Sequence, residues 1–600
     1  MTSPVPSGST SLALVARVQA ALSAPGTPFA TVDTPHGRRY ASGPTVLREV
    51  LAASLAHGDR PFLHHRGGTL SHAGHHAAAS ALAHRCLTEY RLRPGDRVAI
   101  AMRNLPQWQI AFWATQLAGL IAVPLNAWWS AEELAYALND CTPRLVVTDP
   151  ERAARIEPWL AAQAARGERP WLLTAGVAGP PAERTERFEQ LPPPAPGCAP
   201  PEVPIAPGDD ATIMYTSGTT GRPKGVVATQ SAWCAAALTP RFFSATAALV
   251  AGQDLAALRP HTVLLSYPFF HVAAFTVLFP LLSSGGSAVL MPKWDPAEAL
   301  ELIARHRVTL YSGVPTTALG LLEAAARAGA PLTGLTAIST GGAAAPPDLV
   351  RRIHRQFEGR VEARNGYGLT EVCGGVIANV GARYLEHPES IGRPAPAVEV
   401  RIADRAGGAL PDGEVGELWL RGQAVFRGYW HDPAATAAAF SGGWFRTGDL
   451  ACRRDGEVYV VDRLKDLVIR GGENVYCVEV EGVLHDHPAV ADVAVLGVPH
   501  PALGEEVAAV VRLRPGRRAA AAELRAHVAG RLAAFKVPAH VVFRAEPLPR
   551  NPTGKLLKRE LRAEVCAQLD GARSDGAPSD SPQLDSARSD SPQLDGAQPA

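Results

Sequence analysis

The chain has 600 residues, more than one hydrophobic core holds, so about two to four structural units are expected. It is 46% hydrophobic and 19% charged, an ordinary globular composition, and a net charge of +1 gives no attraction for nucleic acid or an anionic membrane. Its eight scattered cysteines form no C-x-x-C pair and the N-terminus has no basic-then-apolar leader, so a reduced cytoplasmic compartment is expected rather than secretion, a disulfide framework or a zinc site.

In chain order, the first informative segment follows the apolar run Ile213-Met214-Tyr215. It reads Thr216, Ser217, Gly218, Thr219, Thr220, Gly221, Arg222, Pro223, Lys224, Gly225. Glycines bring backbone N–H groups close to an anion, hydroxyls add neutral donors, and Lys224 adds a mobile charge. That is a cradle for a polyphosphate, although its spacing is not G-x-x-x-x-G-K-[ST]. A flexible surface linker is the alternative. Only six of the 58 Lys and Arg residues are lysines, so positions that remain Lys are candidates for chemistry that wants a compact ammonium.

Strand-like and helix-like runs then alternate. Val263–Tyr267, Ala288–Met291, Val308–Tyr311, Leu335–Ile338 and Val361–Asn365 read as strands, with helices between them. The helix after Asp295 has a capping aspartate, Pro296 at its first position and Glu298 at its third. Val272 to Pro292 carries no charge, yet Pro280 and Ser283-Ser284-Gly285-Gly286 interrupt it. It is expected to be a buried helix, a turn and a strand rather than a membrane span. The alternation implies an α/β fold with helix-covered, mostly parallel sheets, and ligands at the carboxyl ends of the strands. After Arg463 the elements shorten into a small α+β module. From Leu569 the chain has aspartate every fifth residue and little to bury, so disorder is expected there.

Further motifs fall in loops. Asn365-Gly366-Tyr367-Gly368-Leu369-Thr370-Glu371 joins an aromatic face between glycines to a hydroxyl and a carboxylate suited to Mg²⁺. A tight turn with a core tyrosine is the competing interpretation. Trp444 to Leu450 presents Asp449, Asp462 to Asp466 presents Arg463 and Lys465, and Pro549 to Gly554 presents Lys555.

In this order the motifs resemble the adenylate-forming acyl-CoA synthetases, over roughly Arg60 to Arg562. The resemblance implies an AMP-binding N-terminal domain over 1–462, a small mobile C-terminal domain over 463–566, and a tail over 567–600. It also implies ATP and coenzyme A as co-substrates, with Mg²⁺, in a reaction that forms acyl-AMP and then a thioester. Thr216 to Lys224 would hold the β- and γ-phosphates. Gly341, Gly342 and Ala343, with Tyr367, would frame the adenine. Thr370 would touch the α-phosphate, Glu371 the Mg²⁺, and Asp449 with Arg463 the ribose. Lys555 would bridge the substrate carboxylate and the α-phosphate, Lys465 would be the hinge, and Gly471 and Gly472 would line the pantetheine tunnel. Cys477, Gln230 and Ala273-Ala274 depart from the family pattern.

Ser266 to Phe275 matches the family's acyl-pocket wall and has no acidic residue to pair an ammonium, which argues against an amino acid. A medium- or long-chain fatty acid is expected, supported by a weaker likeness of Asn126-Ala127-Trp128-Trp129 to fatty-acyl members. An aryl acid is the alternative. His271 is a candidate catalytic gate or a core histidine. A carrier protein could replace coenzyme A as acceptor, and a non-catalytic nucleotide or acyl binder is the reading from another class.

Overall fold

The computed structural model describes residues 8–176, 184–195, 197–216, 222–343, 345–551 and 554–574. The chain divides into two compact units. The larger is Met1–Lys465 with the loop Arg550–Leu556, and the smaller is Asp466–Pro549 with Leu557–Ala600.

Among its described residues the larger unit holds an eight-stranded and a nine-stranded sheet, both mostly parallel, and a five-stranded antiparallel sheet. Strands such as Ile121–Pro124, Leu145–Thr148 and Ser287–Leu290 are buried at every position, as strands covered on both faces must be. The helix Pro296–His306 starts where the sequence signals it, with the Asp295 carboxylate accepting from the Ala297 and Glu298 amides at 2.8 and 2.9 Å.

The charge-free stretch is the core helix Val272–Ser284, closed by Gly285 at φ 74°, and then the strand Ser287–Leu290. Phe275 and Phe279 of this helix pack on Trp113, Trp233 and Phe112 at ring separations of 4.7–6.1 Å. All five rings are buried, each contributing roughly 1.5–3 kcal/mol of transfer free energy. Among the described residues no helix is long and apolar enough to cross a membrane.

The nine-stranded sheet fixes where a ligand can sit. Thr262–Leu265 pairs in parallel with Ser287–Leu290 on one side and Leu310–Gly313 on the other. The winding direction therefore reverses at Thr262–Leu265, which opens a crevice beyond the carboxyl ends of the strands. The Tyr267 hydroxyl spans it, donating to the Gly313 carbonyl at 2.7 Å.

The smaller unit is α+β. Val490–His500 pairs antiparallel with Gly504–Leu513, which also takes His540–Phe543 in parallel. Helices Cys477–His485 and Ala521–Ala529 contribute Val480, Leu484, Leu524 and Val528 to its core. The last helix, Lys558–Ser574, buries Leu561 and Val565 and runs past Leu569, where disorder was expected to begin. Leu569 continues the four-residue apolar spacing of Leu561 and Val565, which extends the helix. The repeats beyond Ser574 lie outside the described residues.

Candidate active site

The three large sheets of the larger unit carry the expected functional side chains. The antiparallel hairpin Asp210–Thr216/Lys224–Thr229 pairs Thr216 with Lys224, the first and last of the residues expected to hold the outer phosphates. Ser217, Gly218, Thr219, Thr220 and Gly221 lie outside the described residues. Lys224 holds its ammonium 5.1 Å from the ring centroid of Tyr429.

The nine-stranded sheet supplies Gly341, at the end of Ala337–Gly341, paired with Gly366 within Glu362–Leu369, with Asn365 opposite Thr340. Gly342 and Ala343 leave the first of these strands, Gly342 at φ 78°. Gly368 can be nothing larger, because a Cβ there would meet the Gly374 carbonyl oxygen at 1.7 Å. Thr370 and Glu371 follow in a single 3-10 turn.

The five-stranded sheet supplies Asp449 and Arg463, register partners on Trp444–Arg454 and Glu457–Arg463. Asp449 is buried. Its carboxylate accepts from the Tyr367 hydroxyl at 2.6 Å and faces the Arg463 guanidinium at 3.3 Å. Burial first, and Asp449 second, push the Tyr367 phenol well above its usual range, so it is a fixed donor. The Tyr429 hydroxyl donates to Glu371 at 3.0 Å, and burial raises the pKa of the Glu371 carboxyl. Tyr429 is absent from the sequence-based set, although the Arg427-Gly428-Tyr429-Trp430 run before the Asp432-Pro433 helix start was a local signal.

The fit for Mg²⁺ rests on Glu371, one half-buried carboxylate beside the hairpin strand that carries Lys224. Mg²⁺ commonly takes one or two carboxylates plus substrate phosphates, and a buried carboxylate is stabilised by a cation. Among the described residues no cluster of three or more His, Cys, Asp or Glu could hold a metal without such phosphates.

Beneath Gly341 and Gly366 a slot of about 180 Å³ runs along the nine-stranded sheet, with Val272, Ala273, Thr276 and Val277 on the facing helix. From the expected wall, Tyr267, His271, Val272 and Ala273 line it, whereas Phe269 and Phe275 join the core. His271 is the N-cap of its helix, its Nδ1 accepting from the Ala273 amide at 3.2 Å. Burial lowers its pKa to about 4, so it is neutral at physiological pH. Cap and slot wall are thus combined in one residue.

Lys555 sits on a tight loop of the larger unit. Its amide donates to the Asn551 side chain at 2.9 Å, and its carbonyl accepts from the Asn551 amide at 2.9 Å. Gly554, at φ 80°, is so close to Val314 that an added Cβ would lie 2.9 Å from its methyl group. Lys465 is the last residue before the division. Gly471 and Gly472 belong to the smaller unit, at φ 58° and 90° in the two-residue turn between Val468–Arg470 and Glu473–Val475.

Gln230, one of the departures, is buried and structural. It accepts from the Leu47 amide at 2.8 Å and donates to Gln116 at 2.9 Å, which in turn holds the Ala211 carbonyl.

Known proteins share this organisation. The AMP-binding enzyme family matches residues 51–430, and the AMP-binding enzyme C-terminal domain matches residues 479–555. The chain belongs to the AMP-binding, adenylate-forming enzymes. Feruloyl-CoA synthase of Amycolatopsis sp. is 37% identical to this adenylate-forming chain over 476 residues, 78% of this chain and 89% of that protein. Long-chain-fatty-acid–CoA ligase FadD13 of Mycobacterium tuberculosis is 34% identical over 499 residues, 82% and 93% of the two chains. The amide bond synthetase McbA of Marinactinospora thermotolerans superposes with a TM-score of 0.75 at 30% identity, covering 86% of this chain and 99% of that one.

Proposed function

We propose that this chain is an AMP-forming acid–thiol ligase. It joins a carboxylic acid to the α-phosphate of ATP, releases pyrophosphate, and passes the acyl group to coenzyme A. The observation that carries this is the buried Asp449 carboxylate, held by Tyr367 and Arg463, beside a mostly apolar slot that starts at Gly341 and Gly366.

In this reaction Asp449 and Arg463 hold the ribose, and Gly341, Gly342 and Ala343 with Tyr367 frame the adenine. Thr216 to Lys224 take the outer phosphates, Thr370 takes the α-phosphate, and Glu371 holds Mg²⁺, which would offset phosphate charge. The Lys555 ammonium offsets the repulsion between an incoming carboxylate and an anionic phosphorus, where charge builds in the transition state. Lys465 serves as the hinge, and Gly471 and Gly472 leave room for pantetheine. Among the described residues none that lines the slot is acidic and could pair an amino-acid ammonium, which favours a plain alkyl or aryl acid.

ATP–pyrophosphate exchange across a panel of alkyl, aryl and amino acids, followed by thioester detection with coenzyme A, tests this. Acid-dependent exchange and a coenzyme A thioester are expected. Exchange supported best by amino acids, or none with any acid, would refute it.

A further inference from the structure

The floor of the slot carries a polar row that an alkyl chain cannot satisfy. Ser312 pairs with Ser339, and Ser339 with Arg364, across three adjacent parallel strands. Equal register places all three on one sheet face, and all three line the slot. Arg364 is the only Asp, Glu, Lys or Arg among the described lining residues. Among the described residues the Ser312 and Ser339 hydroxyls meet no hydrogen-bond partner.

Depth and volume say what reaches this row. Gly341 and Gly366 mark the mouth, and Ser339 and Arg364 lie two residues further down, about 7 Å at the strand rise of roughly 3.3 Å per residue. An apolar cavity of about 150 Å³ accommodates benzene, so about 180 Å³ suits one ring on a short arm. A long alkyl chain would overfill the slot and bury two hydroxyls unpaired.

Charge decides between a neutral and an anionic terminus. The Arg364 Nε donates to the Glu362 carboxylate, so its charge is already matched. A second substrate carboxylate would have to compete with Glu362 for the Arg364 guanidinium. His261, at the foot of the slot, is neutral, burial lowering its pKa to about 4. The surroundings offer hydrogen bonds and no net charge.

Building on the ligase assignment, we propose that Ser312, Ser339 and Arg364 recognise a ring hydroxyl, so that the acid is a hydroxylated aryl carboxylic acid. The test compares kcat/KM in ATP–pyrophosphate exchange for 4-hydroxycinnamate, cinnamate, octanoate and suberate. 4-Hydroxycinnamate should lead cinnamate by about tenfold, the size of two ordinary net hydrogen bonds, and should exceed octanoate and suberate. In a Ser312→Ala/Ser339→Ala double variant, the ratio of 4-hydroxycinnamate to cinnamate should fall by about tenfold. Cinnamate turnover reports that the variant is folded. Preference for octanoate or suberate, or an unchanged ratio in the double variant, would overturn the proposal while leaving the ligase assignment standing. Failure of every acid would overturn the ligase assignment itself, and the proposal with it.

Discussion

Replacing Asp449 by Asn isolates the ribose-binding role proposed for the cluster. The native carboxylate is 3% exposed and accepts a short, charge-assisted bond from Tyr367 at 2.6 Å. Its partner Arg463 is one-third exposed, with a side-chain accessibility of 33%, so that ion pair is screened and contributes about 1 kcal/mol or less to stability. The larger loss falls on the ligand. Two ribose hydroxyls donating to a buried carboxylate are together worth about 3 kcal/mol or more, since each charged hydrogen bond contributes about 1.5–3 kcal/mol. The expected result is a rise of about a hundredfold in KM for ATP, at about 1.4 kcal/mol per tenfold, with kcat at saturating ATP changed little. Exchange assays with ATP, 2′-deoxy-ATP and 3′-deoxy-ATP separate the contributions. The wild type should discriminate against both deoxy analogues, and Asp449→Asn should treat all three alike. A folded variant that keeps the wild-type KM, or that still discriminates against both analogues, would refute the assignment.

Removing the ammonium in Lys555→Ala should lower the rate of acyl-AMP formation by at least about a hundredfold, the scale of one lost electrostatic stabiliser. Thioester formation from pre-made acyl-AMP should be largely spared, because the carboxylate–phosphate repulsion has passed; equal losses in both half-reactions would contradict the role. Burial raises the pKa of Glu371, so this group stabilises the fold below its unfolded pKa near 4.5, and that contribution is lost as pH rises through the folded value. Without nucleotide, Glu371→Gln should therefore melt above the wild type at pH 8, and the gap should close towards pH 4.5. With Mg²⁺ and ATP the order should reverse, and a variant less stable than the wild type in apo form at pH 8 would oppose this.

The sequence revealed most of the fold because its signals were local. The Asp295 cap, the charge-free run before Pro292 and the strand–helix alternation each depend on neighbouring residues, and each appears as an element of the structure. The α/β class with a smaller α+β unit follows from them. Strand ends were less legible: Leu310–Gly313 starts two residues after Val308, since a buried turn residue looks like a strand residue. What could not be read was lateral. Tyr429 reaches Glu371 from a different sheet, 58 positions away, and no spacing rule encodes that meeting. The Ser312–Ser339–Arg364 row exists only once three strands are in register. Gln230 became explicable only when Gln116 was seen beside it.

In the proposed reaction the substrate carboxylate bonds directly to the α-phosphorus of ATP. An acid labelled with ¹⁸O in its carboxylate, incubated with ATP, Mg²⁺ and coenzyme A, tests this directly by mass spectrometry of the nucleotide product. One ¹⁸O atom should appear in AMP for each thioester formed, with unlabelled pyrophosphate released. Label appearing in inorganic phosphate with ADP as the nucleotide product would contradict it.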